Sequence, residues 1–143
     1  MPNIPPTNQR GQILTSRGDG SNASYWAGGN QGTFVIAKTY TVLGPLSAAT
    51  LPGFSMSVPT GQTVNLIAVV SKLSAGTCTI AALQNGSSIG GLSALSVTSS
   101  SSGYVAPSTN PTAVADLDFF AITISSPSGT GDLSFDFVFA ITP

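Results

Sequence analysis

From Leu133 to Ile141 the chain alternates without a break. Leu133, Phe135, Phe137, Phe139 and Ile141 take every second position, with Ser134, Asp136, Val138 and Ala140 between them. A period of two puts the first set on one face of a strand and the second set on the other. Three phenylalanines on one face form a surface that must be covered. Burying each contributes about 1.5–3 kcal/mol. No helix is available to cover it, because no window of a dozen residues keeps helical apolar spacing without a Gly, Pro or Ser interruption. The cover has to be a second sheet, lying about 10 Å away.

The rest of the chain supplies that sheet. Phe34–Val42 is apolar and β-branched and stops at Gly44-Pro45. Phe54, Met56 and Val58 alternate with Ser55 and Ser57, which predicts a half-buried strand. Val64–Leu73 is apolar on both faces, as a central strand would be, and Thr77–Leu83 follows. Asn85-Gly86 is a two-residue hairpin signal, since a type I′ turn needs two positive φ angles. Ser87–Leu92 should return from it, and Leu95–Thr98 continues it or starts another strand. Ser99–Asn110 reads as a long polar loop, Leu117–Ile124 as a two-sided apolar strand, and Ser126–Gly131 as a connection. The expected fold is all-β: an antiparallel jelly-roll-like sandwich of seven or eight strands over residues 33–143. Residues 1–32, rich in Pro, Asn, Gly and Ser, read as an extended N-terminal arm.

Charge narrows the function. Only 6% of the residues are charged, against about 25% in an ordinary domain. His and Glu are absent, while Ser and Thr number 21 and 16. The net charge of -1 gives little colloidal protection to a free monomer, so the composition points to assembly. Four scattered basic residues provide no footprint for nucleic acid. No apolar run reaches the ~20 residues of a membrane span, and the first residues do not resemble a secretory signal. One cysteine, Cys78, allows neither an internal disulfide nor a cysteine metal cluster. These features fit synthesis in a bacterial-type cytosol and stabilisation by packing alone.

The arm contains Gly11-Gln12-Ile13-Leu14-Thr15-Ser16-Arg17-Gly18-Asp19-Gly20, followed after five residues by Trp26. This resembles the GQVLTSNGxGxxPxW element of tailed-phage virion proteins. It departs from that element at Arg17, where Asn is common, and by one extra residue before Trp26. The order of Tyr40-Thr41-Val42, Val58–Val70, Asn85-Gly86-Ser87-Ser88-Ile89, Ala115-Asp116-Leu117 and a final alternating strand is similar to a small sandwich module of the same proteins. The resemblance implies a non-enzymatic virion component, commonly a homotrimer, without separating head from tail. The expectation is a capsid decoration (cement) protein on the outer surface of the virion, bound to the major capsid protein. The alternative is a trimeric fibre, collar or baseplate component bound to tail proteins, with a receptor or glycan as a further partner.

Candidate site residues are few. Leu14, Tyr25 and Trp26 are expected to anchor the arm, with Gly11, Gly18 and Gly20 forming its turns. Tyr25 and Trp26 could instead stack on a sugar. Arg17-Gly18-Asp19 reads as part of the turn motif rather than as an adhesion tripeptide. Asp116 and Asp118, two apart on the expected strand, would share a face. With Asp132 and Asp136 they could hold Ca²⁺, which takes six to eight oxygen ligands, or they form an acidic stripe that discourages edge pairing. Without His or Glu, no nucleophile–base–orienter set is visible, so no catalytic residue, resident metal or cofactor is expected. Cys78, in an apolar strand, reads as a small buried hydrophobe.

Overall fold

Two four-position sheets face each other, and the chain crosses between them at nearly every connection. The computed structural model describes residues 32–100 and 103–143. They contain ten strands and no helix: β1 (Phe34–Val42), β2 (Ala49–Thr50), β3 (Phe54–Ser55), β4 (Thr63–Leu73), β5 (Thr77–Gln84), β6 (Ser87–Ser88), β7 (Leu95–Val97), β8 (Thr112–Val114), β9 (Phe119–Ser128) and β10 (Leu133–Thr142). The first sheet has the order β1-β10-β4-β8. The second has the order β2-β9-β5-β6, with β3 also on β9 and β7 also on β5. All pairings between these strands are antiparallel.

The ten strands occupy eight positions because both edges of the second sheet are broken. β2 and β3 run along the same strand, pairing at Thr50↔Thr123 and Phe54↔Phe120. Gly53 lies between them, and a Cβ there would run into the Phe120 carbonyl oxygen. On the opposite edge, β6 pairs Gln84↔Ser87 and β7 pairs Cys78↔Val97. The expected return strand Ser87–Leu92 therefore ends at Ser88. Beyond it, Ile89 and Leu92 turn inward and are buried, with Leu92 N–H donating to Ile89 O at 2.9 Å. The hairpin itself is as expected, with φ of 53° at Asn85 and 84° at Gly86.

The alternation at the end of the chain becomes the core. Phe135, Phe137 and Phe139 are fully buried; Phe137 and Phe139 meet Phe120 of β9 across the sandwich, and Phe135 packs edge-on against Phe137. Phe120 lies 5.2 Å from Phe139 and 5.6 Å from Phe137 between ring centroids, both edge-on, the geometry aromatic quadrupoles favour. Tyr40 closes one side of this cluster and donates its hydroxyl to Pro52 O at 2.9 Å. Burial pushes its phenol above the usual range. β4 and β10 pair over ten residues, with a bulge opposite Val138/Phe139 that admits Ile67 as an extra residue.

Three boundaries differ from expectation. The strand expected over Phe54, Met56 and Val58 stops at Ser55. β9 begins at Phe119, not Leu117, and its ladder runs on through Ser128 into the expected connection. The long loop after β7 is also partly ordered by pairing, since Val105 bridges Val69 with hydrogen bonds of 2.9 Å in both directions.

Candidate functional site

The acidic residues were the most promising polar candidates, and the structure disperses them. Asp116 and Asp118 do not share a strand face. They sit in the turn between β8 and β9, where Leu117 holds φ of 68°. Three hydrogen bonds tie this reversal to the segment after β3, two accepted by the turn and one donated from it. Val58 N–H donates to Asp116 Oδ1 at 2.8 Å, Met56 N–H to Asp118 O at 2.8 Å, and Leu117 N–H to Met56 O at 2.7 Å. Period-two spacing fails at these positions because short carboxylates that accept backbone N–H groups favour turns over strands.

Asp118 is the centre of a fixed network. Asn85 Nδ2 donates to its Oδ1 at 2.7 Å, and Gln84 Nε2 and Ala115 N–H donate to its Oδ2 at 2.7 and 2.8 Å. The Asn85 hydrogen bond, aided by those from Ala115 and Gln84, holds the carboxyl below its ordinary range against a smaller effect of burial. Asp132 accepts from Gly44 N–H at 2.9 Å, tying the end of β1 to the start of β10. These carboxylates are structural caps in separate places. No group of three His, Cys, Asp or Glu side chains able to hold a metal occurs among the described residues.

A cleft of about 290 Å³ opens beside the β5–β6 hairpin, lined by Gln84, Asn85, Ser87, Ser88, Ile89, Gly90, Thr109 and Thr112. Its amides are already engaged: Gln84 Nε2 is held by Ala113 O and Asp118, and Asn85 Oδ1 accepts Phe119 N–H at 2.8 Å. What remains toward the opening is neutral hydroxyl surface. Among the described residues, no titratable side chain lines it.

The two outer sheet faces differ in kind. On the second sheet, Thr50, Thr123 and Ala81 form one row and Ser96, Thr79 and Ser125 another, a surface that water solvates well. On the first sheet the register gives Ala37–Val138–Ala68 and Thr39–Asp136–Val70. Val35 opposes Ala140 above these rows, and Thr41 opposes Ser134 and Lys72 below them. Val138 and Ala68 are buried although they lie on the side away from the core cluster. Val35 and Tyr104, by contrast, are among the most exposed large apolar residues. Strand alternation next to Val105, which packs on the core, puts Tyr104 on this same outer side.

This face, which also carries Asn65 opposite Ala140, is mixed in character and contains one buried polar atom without a partner. Asp136 Oδ1 is shut off from solvent and accepts no hydrogen bond. It was not visible from the sequence as anything but one of several acids. The register of β10 against β1 and β4 distinguishes it.

At the edge of the same sheet, no strand among the described residues pairs with the outer side of the nine-residue β1. Lys38 points to the core side of this strand, with its ammonium 5.9 Å from the centre of the Phe54 ring. An inward-directed charge on an edge strand is a known deterrent to stray strand addition. Cys78 is buried within the core, and burial raises its thiol above the usual range. The arm candidates Leu14, Tyr25, Trp26, Gly11, Gly18 and Gly20 lie outside the described residues. Among the described residues no helix is long and apolar enough to cross a membrane.

No protein-family model and no curated protein matches the chain.

Proposed function

We propose that this chain is a structural protein of a tailed-phage virion, a capsid decoration (cement) protein that binds the outer capsid surface as a homotrimer. The observation that carries the reading is an antiparallel sandwich in which Asp116, Asp118 and Asp132 accept hydrogen bonds that hold turns and strand ends. The near-absence of charge in the sequence favours a body that works by being packed against others. The winding of the chain, with β1-β10-β4-β8 against β2/β3-β9-β5-β6/β7, fits a jelly roll, a fold common in viral shells. The Gly11–Trp26 resemblance adds the arm as the attachment element, with Leu14, Tyr25 and Trp26 as the groups buried on docking and the major capsid protein as partner.

The same element also recurs at the edges of fibre modules, which keeps a trimeric tail fibre, collar or baseplate component as the second reading. Copy number separates the two. Hundreds of copies per particle on the head support decoration, and a few dozen at the tail support the alternative. The test is localisation of the protein on intact particles together with deletion of residues 2–26. The expected result is a folded sandwich that no longer sediments with particles. Full retention after the deletion removes the arm from the mechanism, and absence from particles overturns the reading altogether.

A further inference from the structure

We infer that Asn85 is a self-modification site, where the backbone nitrogen of Gly86 displaces the side-chain amide, and that the hydrogen bonds to Asp118 and Phe119 hold this reaction back. The inference concerns the β5–β6 hairpin alone and stands apart from the virion reading.

Asparagine is thermally labile where the nitrogen of the next residue can reach its side-chain carbonyl carbon. Asn85 is exposed to water. Its successor is glycine, and a Cβ at Gly86 would meet open space, so the approach to the attacking nitrogen is uncrowded. The other asparagines among the described residues are placed differently. Asn65 lies inside β4 and precedes the buried Leu66. Asn110 precedes Pro111, whose nitrogen has no proton to give up.

The reaction balances with water as its sole co-reactant. Gly86 N bonds to Asn85 Cγ and loses its proton, the Cγ–Nδ2 bond breaks, and the nitrogen leaves as ammonia. Water then opens the five-membered imide at one of its two carbonyls. The product is aspartate in the original backbone, or isoaspartate with the backbone running through the side chain. Either adds one negative charge to a chain whose net charge is -1.

Closing the imide ring sets ψ and χ1 of Asn85, and the native hairpin already holds both. The turn fixes the backbone, with φ of 53°. Nδ2 donates to Asp118 Oδ1 at 2.7 Å, Oδ1 accepts Phe119 N–H at 2.8 Å, and Asn85 N–H donates to Phe119 O at 2.7 Å. The ring therefore closes only after these contacts open. The product cannot restore them, because a carboxylate at position 85 brings no N–H to Asp118 and two adjacent carboxylates resist ionising together. Isoaspartate also adds a backbone carbon to a turn whose flanks pair at Gln84↔Ser87. The hairpin thus keeps a one-way mark of chains that have opened there.

The test follows Asn85 by peptide mass spectrometry at mildly alkaline pH in three samples: the full native chain, Asp118→Ala, and the native chain in denaturing urea. The expected order is urea fastest and native slowest, with Asp118→Ala about tenfold faster than native, and with Asn65 and Asn110 intact in the folded samples. Equal rates in the native chain and a folded Asp118→Ala overturn the protective contact. An Asn85 that outlasts Asn65 in urea overturns the site. If Asp118→Ala does not fold, the native and urea samples decide: conversion at least about tenfold slower in the native chain supports the inference, and equal rates overturn it. Converted protein isolated by ion exchange should melt below the native chain, and an unchanged melting temperature overturns the one-way mark.

Discussion

Asn85 and Asp118 hold two turns together from opposite ends of the chain's middle. Asn85 Nδ2 donates to Asp118 Oδ1 at 2.7 Å, while Asn85 Oδ1 accepts the N–H of Phe119, the next residue, at 2.8 Å. Asn85 also takes the positive φ that the β5–β6 hairpin requires. One residue thus sets a turn in the backbone and fixes a second turn with its side chain.

Asp118→Ala should lower unfolding stability by about 1–3 kcal/mol, because Asn85, Gln84 and Ala115 each lose an acceptor. The folded carboxyl ionises at lower pH than the unfolded one. Its contribution is therefore complete above the unfolded value, near 4, and fades as pH falls through the folded value. Urea titrations between about pH 2 and pH 6 should show a steeper acid loss for the native chain than for Asp118→Asn. Equal slopes would mean that the network does not favour the carboxylate.

Leu117 is 66% exposed and has a φ of 68°. A branched-chain residue gains little there from burial and is strained in the left-handed region. Leu117→Asn should stabilise the protein by about 0.5–1 kcal/mol, seen as a higher urea midpoint with unchanged slope. A lower midpoint would show that the leucine makes a contact that outweighs the strain.

Gly76 and Gly61 both have positive φ, 77° and 86°. At Gly61 an added Cβ meets open space, whereas at Gly76 it would run into the carbonyls of Ser128 and Gly129. Gly61→Ala should cost about 1 kcal/mol, from backbone strain alone. Gly76→Ala should cost more than twice as much, since the β4–β5 turn must shift against β9. Thermal melts of the two variants side by side make the comparison, and equal losses would exclude the backbone collision as the cause.

Cys78 is 3% exposed and its thiol is raised by burial. Alkylation at neutral pH should therefore proceed only through global opening and track the unfolding equilibrium across a urea series. Rapid labelling in the absence of denaturant would place the thiol at the surface.

How much of this was readable in advance depends on the range over which each signal acts. The Leu133–Ile141 alternation specified a buried aromatic face, and Phe135, Phe137 and Phe139 are all fully buried. Asn85-Gly86 specified its turn through the φ angles those residues tolerate. Both signals are local, so they survive in one dimension. Asp116 and Asp118 misled because spacing along the chain cannot reveal that Val58 and Asn85, distant in sequence, offer the donors that hold them in a turn.

By itself the sequence determined the all-β class, the aromatic core strand and the near-absence of charge, because these follow from periodicity and composition. Only the tertiary structure decided which strands share a sheet, and therefore which outward rows line up. Val138 of β10 beside Ala37 and Ala68, and Asp136 beside Thr39 and Val70, become one surface through inter-strand register. Register is fixed by hydrogen bonds between residues far apart along the chain, so a reading along the chain could not have assembled it.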